Sequence, residues 1–278
     1  DATMTPNGAL FKTTQKGFLP ELMQKMYDDR VKFKQLMIEA QKDYEKTKDP
    51  KLQKTIAKFN NIQMAKKISL NSAYGAIGNV WFRYYNLLVA EAITTSGQLA
   101  IRYIEHALNE YLNKILNTRG EDYIIASDTD SVYITFDNLV SNVFVSDTDD
   151  NKVVEFLDRV AKEKIEPFID KSYQDLAEYV NAYEQKMQMK REVIADKGIW
   201  VAKKRYILNA HDVEGVRYKE PKLKIMGVEA VKSSTPAACR EKIKDALKII
   251  MTKDNQELNS FIQDFRKDFM DLKPELIA

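Results

Sequence analysis

The chain has 278 residues, enough to bury a sizeable core in one or two domains, and its 44% hydrophobic and 30% charged residues describe a globular protein. No apolar run approaches the ~20 residues of a membrane-spanning helix, and a single cysteine, Cys239, rules out an internal disulfide and suits a reducing compartment. Two histidines and one cysteine leave no zinc site to assemble, so any metal must be a hard cation held by carboxylates; a net charge of +2 promises no nucleic-acid affinity unless the charge is unevenly placed.

Residues 1–18 carry the turn strings TPNG and QKG and read as the continuation of a longer chain. Leu22, Met26, Phe33 and Met37 then recur at helical spacing and predict an amphipathic helix from Leu19 to about Thr47, with Pro20 in its first turn. KDPK breaks it, and a second helix from about Leu52 to Tyr74 completes an antiparallel helical hairpin. A third helix, Leu87 to Leu116, presents Ile93, Leu99, Ile101, Ile104 and Leu108 as core. Two strands follow around ASDTDSVYITF, then a helix over 151–184 and strands near 187–195, 199–209 and 213–219. SSTP is the cap signal for closing helices over 236–252 and 255–271. Helices and strands come in blocks without regular alternation, which argues for an α+β fold.

Four clusters carry chemistry. Arg30 falls within the Met26–Phe33–Met37 stripe, and Lys34 lies one turn on, about 40° around the helix. Two inward cations call for an anion, unless both snorkel to solvent past a narrower stripe. Lys67, Asn71 and Tyr74 share one helical face, a cation, an amide and a ring in a row that could grip a phosphate and a sugar or base; Gly75 and Gly78 would admit another backbone or a flat ligand. The bland alternative is a helix end with ordinary glycine caps and a buried tyrosine. Strand alternation places Asp128 and Asp130 on one side, where two like charges need a cation, and Mg²⁺ characteristically takes one or two carboxylates; exposed turn acids are the alternative. From Lys197 to Lys232 there are nine Lys or Arg against four Asp or Glu. Lys203, Lys204, Arg205, Arg217, Lys222 and Lys224 form a basic β surface suited to a nucleic-acid backbone or, more simply, a lysine-protected sheet edge.

Taken together, KISLNSAYG, SDTDS and KKRY resemble, in order, the fingers motif K-x3-N-S-x-Y-G, the core of the palm motif Y-G-D-T-D-S and the primer-contacting motif of the family B DNA polymerases, most closely the replicative polymerases of T-even-like bacteriophages. The likeness continues through GNVWFRYYN, AITTSGQ and EPKLKIMG. It implies an antiparallel palm sheet packed with helices, a helical-hairpin fingers domain and a partial helical thumb. Residues 1–18 would lead into the palm, 19–79 form the fingers, 80–226 the palm and 227–278 the start of the thumb. By the same resemblance Asp130 and Asp128 are ligands of a two-Mg²⁺ site, and Glu192, in KREVI, is a third acid near it. Arg30, Lys34 and Lys67 contact the incoming deoxynucleoside triphosphate, Asn71 and Tyr74 line the nascent base pair, and Lys203, Lys204, Arg205 and Tyr206, with Gly75, contact primer–template DNA. The implied setting is the cytoplasm of an infected bacterial host, with no membrane.

Two departures stand out. The family's second metal-binding aspartate belongs to a motif D-x-x-S-L-Y-P-S, which does not occur here, and the proofreading exonuclease motifs are also missing. The expectation is a chain nearly inactive alone, whose partner is the amino-terminal polymerase and exonuclease portion. Ala126 and Ser127 replace the Tyr-Gly pair ahead of D-T-D-S, which predicts weaker positioning of the primer end. A nucleic-acid or partner-binding module without turnover is the main rival reading. A D-x-D glycosyltransferase is disfavoured because long helices, not βαβ units, precede the aspartates.

Overall fold

The computed structural model describes residues 1–145, 148–273 and 275, which divide into two units, Asp1–Arg191 and Glu192–Ala278. The architecture is α+β, and every strand pairing is antiparallel.

The first unit opens with a small hairpin that sequence reading passed over, β1 (Ala2–Met4) and β2 (Leu10–Lys12), closed by the TPNG turn with Gly8 at φ 82°. Helices α1 (Phe18–Thr47) and α2 (Pro50–Ile77) form the expected antiparallel pair. Their connection is short because Lys48 takes a left-handed cap and Asp49 accepts the Lys51 N–H, with Pro50 starting the new helix. Phe33 meets Phe59 at 6.2 Å between ring centres, Gln53 donates to the Tyr44 hydroxyl at 2.8 Å, and Lys66 pairs with Asp29 at 2.7 Å. Met37 and Ala40 are buried, whereas Leu22, assigned to the same stripe, is half exposed.

Helix α3 (Leu87–Leu116) carries the main core of this unit. Ala100, Ile104, Leu108 and Leu112, spaced by one turn, pack with Tyr123, Ile124, Ile165, Ile169 and Tyr173. Ile93 and Leu99 are exposed and do not belong to this core. Ile93 shares the face of Ile104 but precedes the cluster's first α3 residue, Ala100, and Leu99 points about 140° away. Strands β3 (Ile124–Asp128) and β4 (Ser131–Ile134) form a two-stranded sheet, with a bulge between Ile124 and Ala126. A short helix, α4 (Asp137–Val143), not expected from the sequence, precedes the helix predicted over 151–184, which ends earlier and is interrupted: α5 (Asp150–Val160), a π-helical stretch Ala161–Ile165 and α6 (Glu166–Tyr179).

The second unit is a three-stranded sheet, β5 (Val193–Ala202), β6 (Arg205–Val213) and β7 (Val216–Met226), followed by α7 (Ala237–Thr252) and α8 (Asn255–Met270). The strands are shifted from the ranges predicted at 187–195, 199–209 and 213–219. The reason is that Lys203–Lys204 and Glu214–Gly215 are two-residue turns, with positive φ at Lys204, Glu214 and Gly215, where alternation had been read straight through. Ile207, Val228 and Met251 form the core between sheet and helix, and Lys197 donates to the Met251 carbonyl at the end of α7 at 2.7 Å. SSTP does not cap α7: Pro236 occupies the cap position without a side-chain bond, and the Thr235 N–H is spent on the Lys232 carbonyl at 3.2 Å.

Candidate active site

The aspartates of SDTDS do not alternate along one strand as expected. Asp128 ends β3 and pairs with Ser131 at the start of β4, so Thr129 and Asp130 form the two-residue tip of a hairpin. The Asp130 N–H donates to the Asp128 carbonyl at 2.6 Å, and the Ser131 hydroxyl donates to the same carbonyl at 3.2 Å. Thr129, at φ 54°, turns its hydroxyl onto Asp128 Oδ1 at 3.0 Å. Asp128 is half-buried and Asp130 exposed. Burial, and then the charge of Asp130, push the pKa of the Tyr173 hydroxyl on α6 above its ordinary value. Carboxylate oxygens at an open tip are the hard donors that Mg²⁺ takes, with room for the waters it keeps. Ser127, where the resemblance has glycine, donates to Glu105 Oε2 of α3 at 3.5 Å.

On the α1–α2 pair, Arg30 and Lys34 are half-buried, and among the described residues the buried Arg30 Nε has no hydrogen-bond partner. The inward reading therefore describes Arg30 better than free snorkelling. Lys67, Asn71 and Tyr74 lie on the last turns of α2, all exposed, so the buried-tyrosine alternative does not hold. Gly75 faces open space, with nothing within 4 Å of an added Cβ; Gly78, the α2 cap, would make only ordinary contact at 3.7 Å with Ala90.

In the second unit Lys203 and Lys204 stand exposed at the tip of the β5–β6 hairpin. The other members of KKRY are engaged by neighbouring side chains, Arg205 at the surface and Tyr206 buried. Arg205 Nη2 reaches both carboxylate oxygens of Glu229, at 2.6 and 2.5 Å, and Tyr206 is 7% exposed and stacked on Trp200 at 6.2 Å. Arg217 pairs with Asp212 at 3.2 Å, and Lys224 with Glu192 at 2.6 Å, so part of the basic face is balanced internally. Glu192, the candidate third acid, is the first residue of this unit and holds Lys224. Sequence reading missed Gly227 and Glu229. A Cβ on Gly227, at φ 65°, would lie 2.2 Å from the Lys204 carbonyl oxygen, so the KKRY turn is packed against a glycine from the far end of β7. The signal was the glycine closing EPKLKIMG, but no local pattern ties it to a turn more than twenty residues earlier.

The description "DNA polymerase family B" matches residues 1–278, the whole chain. The chain belongs to that family. It is 38% identical to the DNA-directed DNA polymerase of Escherichia phage RB69 over 88% of its own length, and 42% identical to that of Enterobacteria phage T4 over 79%. It spans 33% and 25% of those relatives' lengths. The DNA polymerase delta catalytic subunit of Candida albicans matches 49% of the chain at 32% identity. No helix among the described residues is long and apolar enough to cross a membrane.

Proposed function

We propose that this family B chain supplies the nucleotide-adding part of a DNA-directed DNA polymerase, with 19–79 as fingers, 1–18 and 80–226 as palm and 227–278 as the start of a thumb. The observation that carries the reading is the hairpin tip, which presents Asp128 and Asp130 in the same unit as a helical pair bearing half-buried Arg30 and Lys34 and exposed Lys67, Asn71 and Tyr74. Asp130, with Asp128, is the group that would hold divalent metal, and Glu192 is a further candidate acid. Divalent metal held there would supply the positive charge that makes a primer 3′-hydroxyl nucleophilic and offsets the charge of the leaving pyrophosphate. The cations of α1 and α2 would orient the triphosphate and offset its developing charge. Lys203 and Lys204 would meet the primer–template backbone, with Arg205 and Tyr206 beside them; Gly75, on α2, would contact the DNA as well. The place of action would be the cytoplasm of an infected bacterium, alongside an amino-terminal polymerase and exonuclease portion.

Primer extension with Mg²⁺ tests this. Because D-x-x-S-L-Y-P-S is not in this sequence, the 278-residue chain alone is expected to extend a primer weakly or not at all. Adding the complementary amino-terminal portion of a phage relative should produce extension that Asp130→Ala abolishes. Duplex binding with no extension in either case would reject the catalytic reading in favour of a binding module.

A further inference from the structure

Two asparagines one turn apart, Asn109 and Asn113, interrupt the last turns of α3, where asparagine is a poor helix former. Both are half-buried, and their side chains face the loop that leads into β3. Asn109 Oδ1 accepts the backbone N–H of Tyr123 at 2.9 Å and of Ile124 at 3.2 Å, while Nδ2 donates to Asp122 Oδ1 at 2.9 Å. Asn113 Nδ2 donates to the carbonyls of Glu121 and Asn109, at 2.7 and 2.9 Å, and Oδ1 accepts the Glu121 N–H and the Thr118 hydroxyl, both at 3.0 Å. The Thr118 and Tyr123 hydroxyls lie 2.9 Å apart. The oxygen and nitrogen of both side-chain amides are therefore engaged, and most of the bonds go to the segment 118–124.

That segment leads straight into the strand that carries the aspartates. Within its two-stranded sheet β3 is bonded only to β4, so the ladder fixes the two strands to each other but not to the rest of the unit. Tyr123 and Ile124 are buried against Ile104, Leu108 and Leu112, but apolar packing is non-directional and does not set how far the strand slides along the helix. The amide bonds do, because they join named backbone atoms to a rigid helix. Asp128 is the fourth residue after Ile124.

We propose that Asn109 and Asn113 are positioning residues: they lock the start of β3 onto α3 and so set where the Asp128–Asp130 tip stands. The consequence for metal binding rests on the function proposed above; the anchoring itself does not.

The test uses nuclear magnetic resonance on the 278-residue chain, with Mn²⁺ as the probe ion. In Asn109→Ala, amide exchange at Tyr123 and Ile124 should quicken about tenfold, as two backbone donors lose their acceptor. The resonances of Asp128 to Ser131 should shift, and Mn²⁺ broadening of those resonances should need several-fold more metal. The pair Asn109→Asp with Asp122→Asn keeps the acceptor and reverses the amide–carboxylate bond, so it should restore all three. Thr118→Val, which removes only the hydroxyl bonds, gives a milder form of the same change should the alanine variant fold poorly. Hairpin resonances and Mn²⁺ response identical to wild type in these variants, with Tyr123 and Ile124 freed, would overturn the proposal. If the wild-type hairpin shows no Mn²⁺ response, the metal assignment fails, and the resonances of Asp128 to Ser131 alone decide the anchor.

Discussion

Thr129 stands between the two aspartates at φ 54°, a left-handed conformation that costs a β-branched residue about 1–3 kcal/mol. Thr129→Gly should therefore stabilise the chain by about 1 kcal/mol in denaturant unfolding, the lost hydroxyl bond to Asp128 offsetting part of the relief. Gly227 shows the reverse case. Gly227→Ala sets a Cβ against the Lys204 carbonyl at 2.2 Å and should cost about 2 kcal/mol or more, while moving the Lys203–Lys204 tip and weakening duplex binding. Full stability with unchanged duplex affinity would show that the two turns are independent. Asp128, Asp130, Lys203 and Lys204 could be proposed from the sequence because each motif is a continuous string. Gly227 and Glu229 were not, because their partners Lys204 and Arg205 lie more than twenty residues away in sequence and meet them only through the pairing of β6 with β7.

At the scale of elements, the π-helical stretch Ala161–Ile165 explains an arrangement that an unbroken helix could not make. Asp158 and Glu166, eight residues apart, would be separated by roughly 80° around an α-helix; absorbing one extra residue brings them within roughly 20°. Both then grip the segment leaving the first unit. Asp158 pairs with the Arg191 guanidinium, Glu166 Oε1 accepts the Arg191 N–H at 2.9 Å, and Glu166 Oε2 meets Lys190 at 3.1 Å. Burial works to raise the Asp158 pKa, but hydrogen bonds from Lys162 and Arg191 outweigh it and hold the carboxyl below 3.8. A carboxyl depressed on folding stabilises the protein above its unfolded pKa and loses that contribution as pH falls through the folded value. Acid titration of unfolding should thus show stability falling below about pH 4, and Asp158→Asn should flatten that fall. Deleting Glu163 should convert the stretch to regular α-helix with Asp158 and Glu166 seven positions apart, still within roughly 20°, so both carboxylates keep their partners and denaturant unfolding should change by less than about 1 kcal/mol. A helix was expected here from the sequence; the interruption was not, because the partners that favour the one-residue offset, Arg191 and Lys190, lie outside the helix.

For the molecule as a whole, 43 basic and 41 acidic side chains nearly cancel, so affinity for a polyanion depends on which cations the fold leaves outward. Lys203 and Lys204 are exposed, whereas Arg205 is held by Glu229. Replacing both lysines by alanine should reduce the slope of log affinity for primer–template against log salt by about two, and Arg205→Ala should change it far less. Equal effects from all three residues would show that Glu229 releases Arg205 to the duplex. By itself the sequence determined the α+β class, the α1–α2 hairpin, the length of α3 and the order of the motifs, because helical periodicity, Pro50 and contiguous strings are local properties. Only the tertiary structure decided that the aspartates sit at a hairpin tip instead of along one strand. It also decided that half of KKRY is spent on internal partners and that two asparagines of α3 hold the strand beneath the aspartates. The tip is decided by the register in which β3 pairs with β4, and the other two outcomes by groups remote in sequence that are brought within bonding distance, such as Arg205 with Glu229 and Asn109 with Tyr123.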